Sequence, residues 1–118
     1  MNDILRELDG IGAETGDALD RFLDDREMYL KYVRNFPDEP TMPALVAAVA
    51  RCDYSAAEKA VHALKGIVNN LGFLPLADAS VEMLLALREG QVDEALDAFE
   101  DVKKQYRRFC DVIHAWNE

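Results

Sequence analysis

The chain has 118 residues, half of them hydrophobic, with six Gly and four Pro, which is the size and make-up of a single globular domain over residues 1–118. Its 23 acidic against 13 basic residues give a formal net charge of -10, so long-range electrostatics exclude a nucleic-acid backbone or an anionic bilayer as a natural partner. The longest apolar run, Ala44 to Ala50, is far short of the ~20 residues a membrane-spanning helix needs, and Met1-Asn2-Asp3-Ile4 lacks the build of a signal peptide, which points to the cytoplasm.

No stretch alternates with the period of a half-buried strand, whereas apolar residues recur at three- and four-residue spacings nearly end to end, so the fold class is all-α. Ile4, Leu5 and Leu8 mark a short first helix closed by Gly10-Ile11-Gly12, so residues 1–14 read as an N-terminal helical extension to a bundle over 15–118. Thr15 is placed to cap a second helix carrying Leu19, Phe22 and Leu23. A third runs through Met28, Tyr29, Tyr32, Val33 and Phe36. Pro37, Pro40 and Pro43 interrupt it with a kink or short loop, and the pattern resumes after Thr41 with Leu45, Val46 and Val49.

Ser55-Ala56-Ala57-Glu58 reads as a capping box opening a helix over about 56–71, and Gly72 stands where a left-handed C-terminal cap belongs. Pro75 opens the next helix, over about 75–89, and Gly90 closes it. In the last helix Val92, Phe99, Tyr106 and Ile113 stand seven apart, with Ala95, Val102, Phe109 and Trp116 as a second series. That pattern predicts a bundle-spanning helix of ~26 residues and ~39 Å, its aromatic series a packing stripe rather than a cofactor box. Short loops make successive helices antiparallel neighbours, hence an antiparallel four-helix bundle. Cys52 and Cys110 belong to no CxxC or Cys/His cluster and read as free, packed thiols; no metal-ligand spacing occurs.

The 56–71 helix has an unusual outer face. At 100 degrees per residue, Ala57, Ala60, Val61, Leu64, Val68 and Leu71 form the core stripe, while His62 falls at ~140 degrees from Ala57, flanked by Glu58, Lys65, Asn69 and Gly66. A helix-interior glycine costs ~0.8–1 kcal/mol against alanine, and Gly66 neither ends the helix nor faces the core. Helical side chains lean toward the N-terminus, so glycine at 66 leaves the His62 imidazole uncovered. An exposed imidazole with a nearby cation, Lys65, is a chemically suitable phosphoryl acceptor. His114, in the last turns of the final helix, is accounted for by the helix dipole.

Val61-His62-Ala63-Leu64-Lys65-Gly66, followed by Asn70-Leu71-Gly72, resembles the A-H-x-L-K-G-x-x-x-N-L-G signature of histidine-containing phosphotransfer (HPt) domains. Leu19–Phe22 and Met28–Phe36 are similar to the family's first helices, Cys52-Asp53-Tyr54 to its lead-in, and Leu76 to Gly90 to its next helix. The resemblance implies that His62 accepts a phosphoryl group from a receiver-domain aspartate and passes it to another, with Lys65 the adjacent cation and Gly66 the clearance residue. One position departs: where the family often has a ring-orienting Glu or Gln, this chain has Leu84, and Glu82 lies too far round the helix to substitute. Arg88, one turn beyond Leu84, is the candidate phosphate contact.

By the same resemblance the chain is a phosphocarrier and not an enzyme, and it needs no cofactor of its own, because Mg²⁺ sits on the partner receiver. The expected docking face carries Glu58, Lys59, His62, Lys65, Gly66 and Asn69, with Asn70 and Phe73 at its end and Val81 and Leu85 on the adjacent helix. Response-regulator receivers are the expected partners, with a hybrid sensor kinase as a further candidate, and the chain is expected to be a monomer. It reads as a stand-alone phosphocarrier, although a fragment of a hybrid kinase would read the same way. Autonomous kinase activity is excluded by the lack of a glycine-rich nucleotide loop. The rival reading is an HPt-like interaction module that binds a receiver or kinase without transfer, with Leu84 as its best support.

Overall fold

The structure, a computed structural model, describes residues 3–117; Met1, Asn2 and Glu118 of the expected 1–118 domain lie outside the described residues. Seven α-helices follow one another, and no strand occurs among the described residues: α1 (Ile4–Gly10), α2 (Thr15–Arg21), α3 (Arg26–Asn35), α4 (Thr41–Ala50), α5 (Tyr54–Leu71), α6 (Leu74–Arg88) and α7 (Val92–Asn117). A single 3-10 turn, Phe36–Asp38, separates α3 from α4.

The antiparallel four-helix bundle is α4 to α7 in chain order, with α5 packed between α4 and α6, and α6 against α7. Each boundary has a local cause. Gly72 takes the left-handed conformation at φ 79°, which turns the chain sharply from α5 into α6. Pro75 lies in the first turn of α6, where its missing N–H costs nothing. α7 runs its full 26 residues, burying Ala95, Phe99, Val102, Phe109 and Ile113 from the two heptad series.

Several boundaries differ from the sequence reading. α5 starts at Tyr54 rather than 56, because the carboxylate of Asp53 accepts from the Ala56 N–H at 3.1 Å and outcompetes the Ser55/Glu58 box. Thr15 is the first residue of α2 rather than its cap. Its N–H and hydroxyl both donate to the Asp9 carboxylate, at 3.0 and 2.9 Å, which ties α1 to α2. The proline interruption is the short connection rather than the kink of the two expected forms, with α4 resuming at Thr41 and Pro43 accommodated in its first turn. Leu23, at φ 55° and 90% exposed, has left α2 for the turn, and Met28, Tyr32 and Val46 are exposed rather than core. Of the two cysteines, only Cys110 is buried; Cys52 is exposed.

α2 and α3 cross the end of the bundle and serve the C-terminus of α5. The last carbonyls of a helix lack intrahelical donors, and here side chains supply them. Arg21 Nη2 donates to the Asn69 and Asn70 carbonyls at 2.6 and 3.1 Å, and the buried Tyr29 hydroxyl donates to the Leu71 carbonyl at 2.8 Å. Burial pushes the Tyr29 phenol well above its ordinary range, so it stays a donor. Beneath them Phe73 stacks on Phe109 with ring centroids 4.4 Å apart, and Phe36 meets Phe73 edge-on at 5.3 Å. Among the described residues no buried side-chain N or O lacks a hydrogen-bond partner.

The junction at Gly72 generates a prediction. A Cβ there would lie 2.6 Å from the Glu14 carbonyl oxygen, which is backbone and cannot yield cheaply. The Glu14 N–H also donates to the Gly72 carbonyl at 2.8 Å. Gly72→Ala should therefore lose more than the ~1–2 kcal/mol charged for a left-handed L-residue, read as a lower urea midpoint at unchanged slope.

Candidate functional site

His62 lies at mid-length on α5 and is exposed, on the side away from the buried Ala57, Val61, Leu64, Val68 and Leu71. An 18-residue helix packed along one side gives this imidazole a fixed base without covering it. Lys65, three residues on, is half-buried, and Gly66 is exposed. A Cβ built at Gly66 meets nothing within 4 Å, so no neighbour within the chain requires glycine there.

On the α6 side, Arg88 Nε lies 3.8 Å from the Glu58 carboxylate, both side chains being about half exposed. A pair this open is worth ~0–1 kcal/mol, and its importance is placement: it holds a guanidinium beside α5, one turn before His62. The same antiparallel register sets Leu84 level with His62, but Leu84 is 2% exposed and fills the α5–α6 seam. It offers the ring apolar packing at most, and no hydrogen bond.

On the α4 side, Lys59, Ala60 and Ala63 share a shallow hollow of about 420 Å³ with Pro40, Thr41 and Ala44. Pro40, the α4 residues Thr41 and Ala44, and Ala63 adjoin the surface beside His62, and the sequence reading missed them. The available signal was the run of small residues on both helices, which marks a surface where a partner's backbone can come close.

Other expected docking residues are placed elsewhere. Phe73 is fully buried, stacked on Phe109, because the left-handed turn at Gly72 directs it inward, so it cannot dock. Leu85 is 51% exposed but lines the hollow between α6 and α7, among Glu82, Glu89, Glu94, Asp97 and Asp101, rather than flanking α5. Val81 is half-buried. Asn69 and Asn70 are exposed, yet their carbonyls are engaged by Arg21, and Asn70 lines a hollow with Phe22 and Tyr32 on the α2–α3 side. Glu58, Lys59, His62, Lys65, Gly66 and the side chain of Asn69 remain on the outer side of α5, with Arg88 beside Glu58.

Among the described residues no group of three His, Cys, Asp or Glu side chains could hold a metal ion, and no helix is long and apolar enough to cross a membrane. A profile of the Hpt domain family matches residues 17–115. No curated protein sequence and no solved structure matches the chain significantly.

With open space at position 66, Gly66→Ala and Gly66→Leu should both fold normally. Each should gain about 0.5–1 kcal/mol by removing the helix-interior glycine penalty, measured by urea unfolding. A loss of stability in the alanine variant would mean that the backbone there is constrained in some other way.

Proposed function

Because this chain belongs to the Hpt domain family, whose members are phosphotransfer modules of two-component signalling, we propose that His62 accepts a phosphoryl group from the aspartyl phosphate of a receiver domain and hands it to another. The observation that carries the reading is the bare imidazole of His62 on a rigid helix, with an open position at Gly66 and the cations Lys65 and Arg88 at its flanks.

Phosphoryl transfer through a loose transition state asks for in-line approach and charge neutralisation more than for covalent chemistry from the protein. A ring nitrogen of neutral His62 attacks phosphorus; the P–N bond forms as the acyl P–O bond breaks, and the aspartate leaves as carboxylate on the receiver. The ring N–H proton passes to solvent, to which the imidazole is open. Lys65 and Arg88 offset the charge brought to a strongly acidic chain, and Arg88 can exchange its loose contact with Glu58 for phosphoryl oxygens. In this reading Mg²⁺ is supplied by the partner receiver, as the family resemblance implies.

Glycine at 66 then has a reason that lies outside the chain. The helix forgoes stability there so that the receiver's phosphorylated loop can reach the ring, which a side chain leaning toward His62 would obstruct. The shallow hollow formed with α4 gives the receiver a surface of small residues beside the imidazole.

The test is incubation of the wild type and His62→Gln with receiver domains phosphorylated on aspartate, following acid-labile, base-stable label on this chain. Wild type should take up label and His62→Gln none, with the thermal midpoint moved by less than ~2 °C because an exposed residue was changed. Complex formation without label on the wild type would favour the interaction-module reading. Gly66→Leu should transfer at least ~tenfold more slowly while remaining folded, as a barrier increase of about 1.4 kcal/mol requires; unaltered rates would refute the clearance role.

A further inference from the structure

Five large apolar side chains are exposed among the described residues, and three of them, Leu23, Met28 and Tyr32, stand together where α2 turns into α3, at 90%, 48% and 55% exposure. They share a hollow of about 560 Å³ with Asn70 of α5. Leu23 is also strained. It and Asp24 both take left-handed backbone, at φ 55° and 60°, a conformation that is costly for any residue with a Cβ and is ordinarily left to glycine. At 90% exposure Leu23 recovers nothing by burial. The turn thus holds an apolar side chain in water against both solvation and backbone preference, which marks a position kept for a contact outside the chain.

The place of the patch says what lies over it. A second hollow, of about 190 Å³, shares Asn70 and Tyr32 with the first and adds Ile67. Next along α5 comes the hollow of small residues beside His62, lined by Ala63 and Lys59. One flank of α5 therefore leads without a break from His62 to the α2–α3 turn, and Lys59, Ala63 and Asn70 all lie within ~100 degrees of His62 on the helix wheel. Asn70 is eight residues beyond His62, or ~12 Å at 1.5 Å per residue. A stable interface takes ~800 Å² of each partner, a disc of ~16 Å radius. A globular domain that brings a phosphoryl group to His62 therefore overlies this flank as far as the turn.

We propose that Leu23, Met28 and Tyr32 are an apolar anchor for the receiver domain that exchanges phosphate with His62, and that they select among receivers by the apolar side chain each presents about one interface radius, ~16 Å, from its aspartyl phosphate. This rests on the phosphotransfer reading and adds to it the direction of the partner's footprint and a source of its specificity. Apolar contact carries the anchor, because the charges round it are mixed: Asp24 and Asp25 stand against Arg21, whose guanidinium is already held by α5 carbonyls. A second copy of this chain is the poorer occupant. Three side chains alone fall short of the ~800 Å² per partner of a stable interface, but they suffice as the edge of one centred on His62. On the other flank Leu85 stands among carboxylates in the hollow against α7, so the footprint extends toward α3.

The test compares Leu23→Gly and Met28→Gln with the wild type in the full chain. Leu23→Gly removes the side chain together with the left-handed strain, so its urea midpoint should not fall. Labelling of His62 by phosphoramidate, a small donor that loses ammonia and needs no docking surface, should be unchanged in both variants. With the fastest phosphorylated receiver, the concentration giving half-maximal transfer should rise at least ~fivefold in each variant while the saturating rate stays within ~twofold, and the spread of rates across a receiver panel should narrow. Amide shifts of His62→Gln titrated with that receiver should include Leu23 and Met28. Unaltered transfer in Leu23→Gly, or shifts confined to α4 and α5, overturns the anchor and leaves the phosphotransfer reading standing. Labelling by phosphoramidate but by no receiver, with receiver binding still mapped to the patch, overturns transfer and leaves the anchor. Absence of receiver binding overturns both. A wild-type dimer that Leu23→Gly dissociates, seen by sedimentation, would assign the patch to a second copy and overturn the proposal.

Discussion

Ala57, Val61, Leu64, Val68 and Leu71 must all leave water, and that demand on α5 arranges the rest of the bundle. Each of the larger side chains contributes about 1.5–3 kcal/mol when fully buried, so α5 cannot turn without losing most of that gain. A stripe of this width needs α4 on one flank and α6 on the other, and it leaves only a narrow strip of the helix bare. His62 stands on that strip. Its exposure is thus a consequence of the packing behind it: the same contacts that bury the stripe hold the imidazole outward at a fixed height.

The C-terminus of α5 explains why a bundle of four helices has three more in front of it. The last carbonyls of a helix need donors, and at the end of α5 the Leu71 carbonyl is buried while those of Asn69 and Asn70 lie nearer the surface. Arg21 and Tyr29 reach those carbonyls from α2 and α3, and the Glu14 N–H closes on Gly72 itself. α1 is in turn held to α2 through Asp9 and Thr15, and it buries Ile4 and Leu8. The N-terminal helices are therefore a cap on α5, and they steady the helix that carries His62 from its far end.

What the sequence made legible follows the range of the interactions. The heptad series of α7, the glycine at 72 and the stripe of α5 are decided within one helix or one turn, where 3.6-residue periodicity and left-handed φ act directly. The misread elements depended on competition or on a neighbour. Asp53 and Ser55 are equally good caps, and only the left-handed turn at Cys52 gives Asp53 the N-cap position. Phe73 lies just past the turn, where the wheel of α5 no longer applies, so its burial on Phe109 could not be read from spacing. Leu85 is exposed, as a docking role asks, but periodicity gives an angle and not the identity of the helix lying there; the neighbour is α7, with its acidic residues. The α4 surface beside His62 was missed because its small residues come from two helices, and the register that brings them together is not set by either helix alone.

Leu84 now has a clearer meaning than its chemistry alone suggested. Buried in the seam level with His62, it strengthens the α5–α6 contact by the transfer of an apolar side chain, where a Gln would need its amide satisfied or extended to the surface. Leu84 thus contributes to the core and offers the ring no hydrogen bond. Orientation of the imidazole then falls to whatever approaches from outside, and so does the need for glycine at 66, since nothing in the chain itself fills that space. Both features place the final ordering of the site in the encounter with a partner.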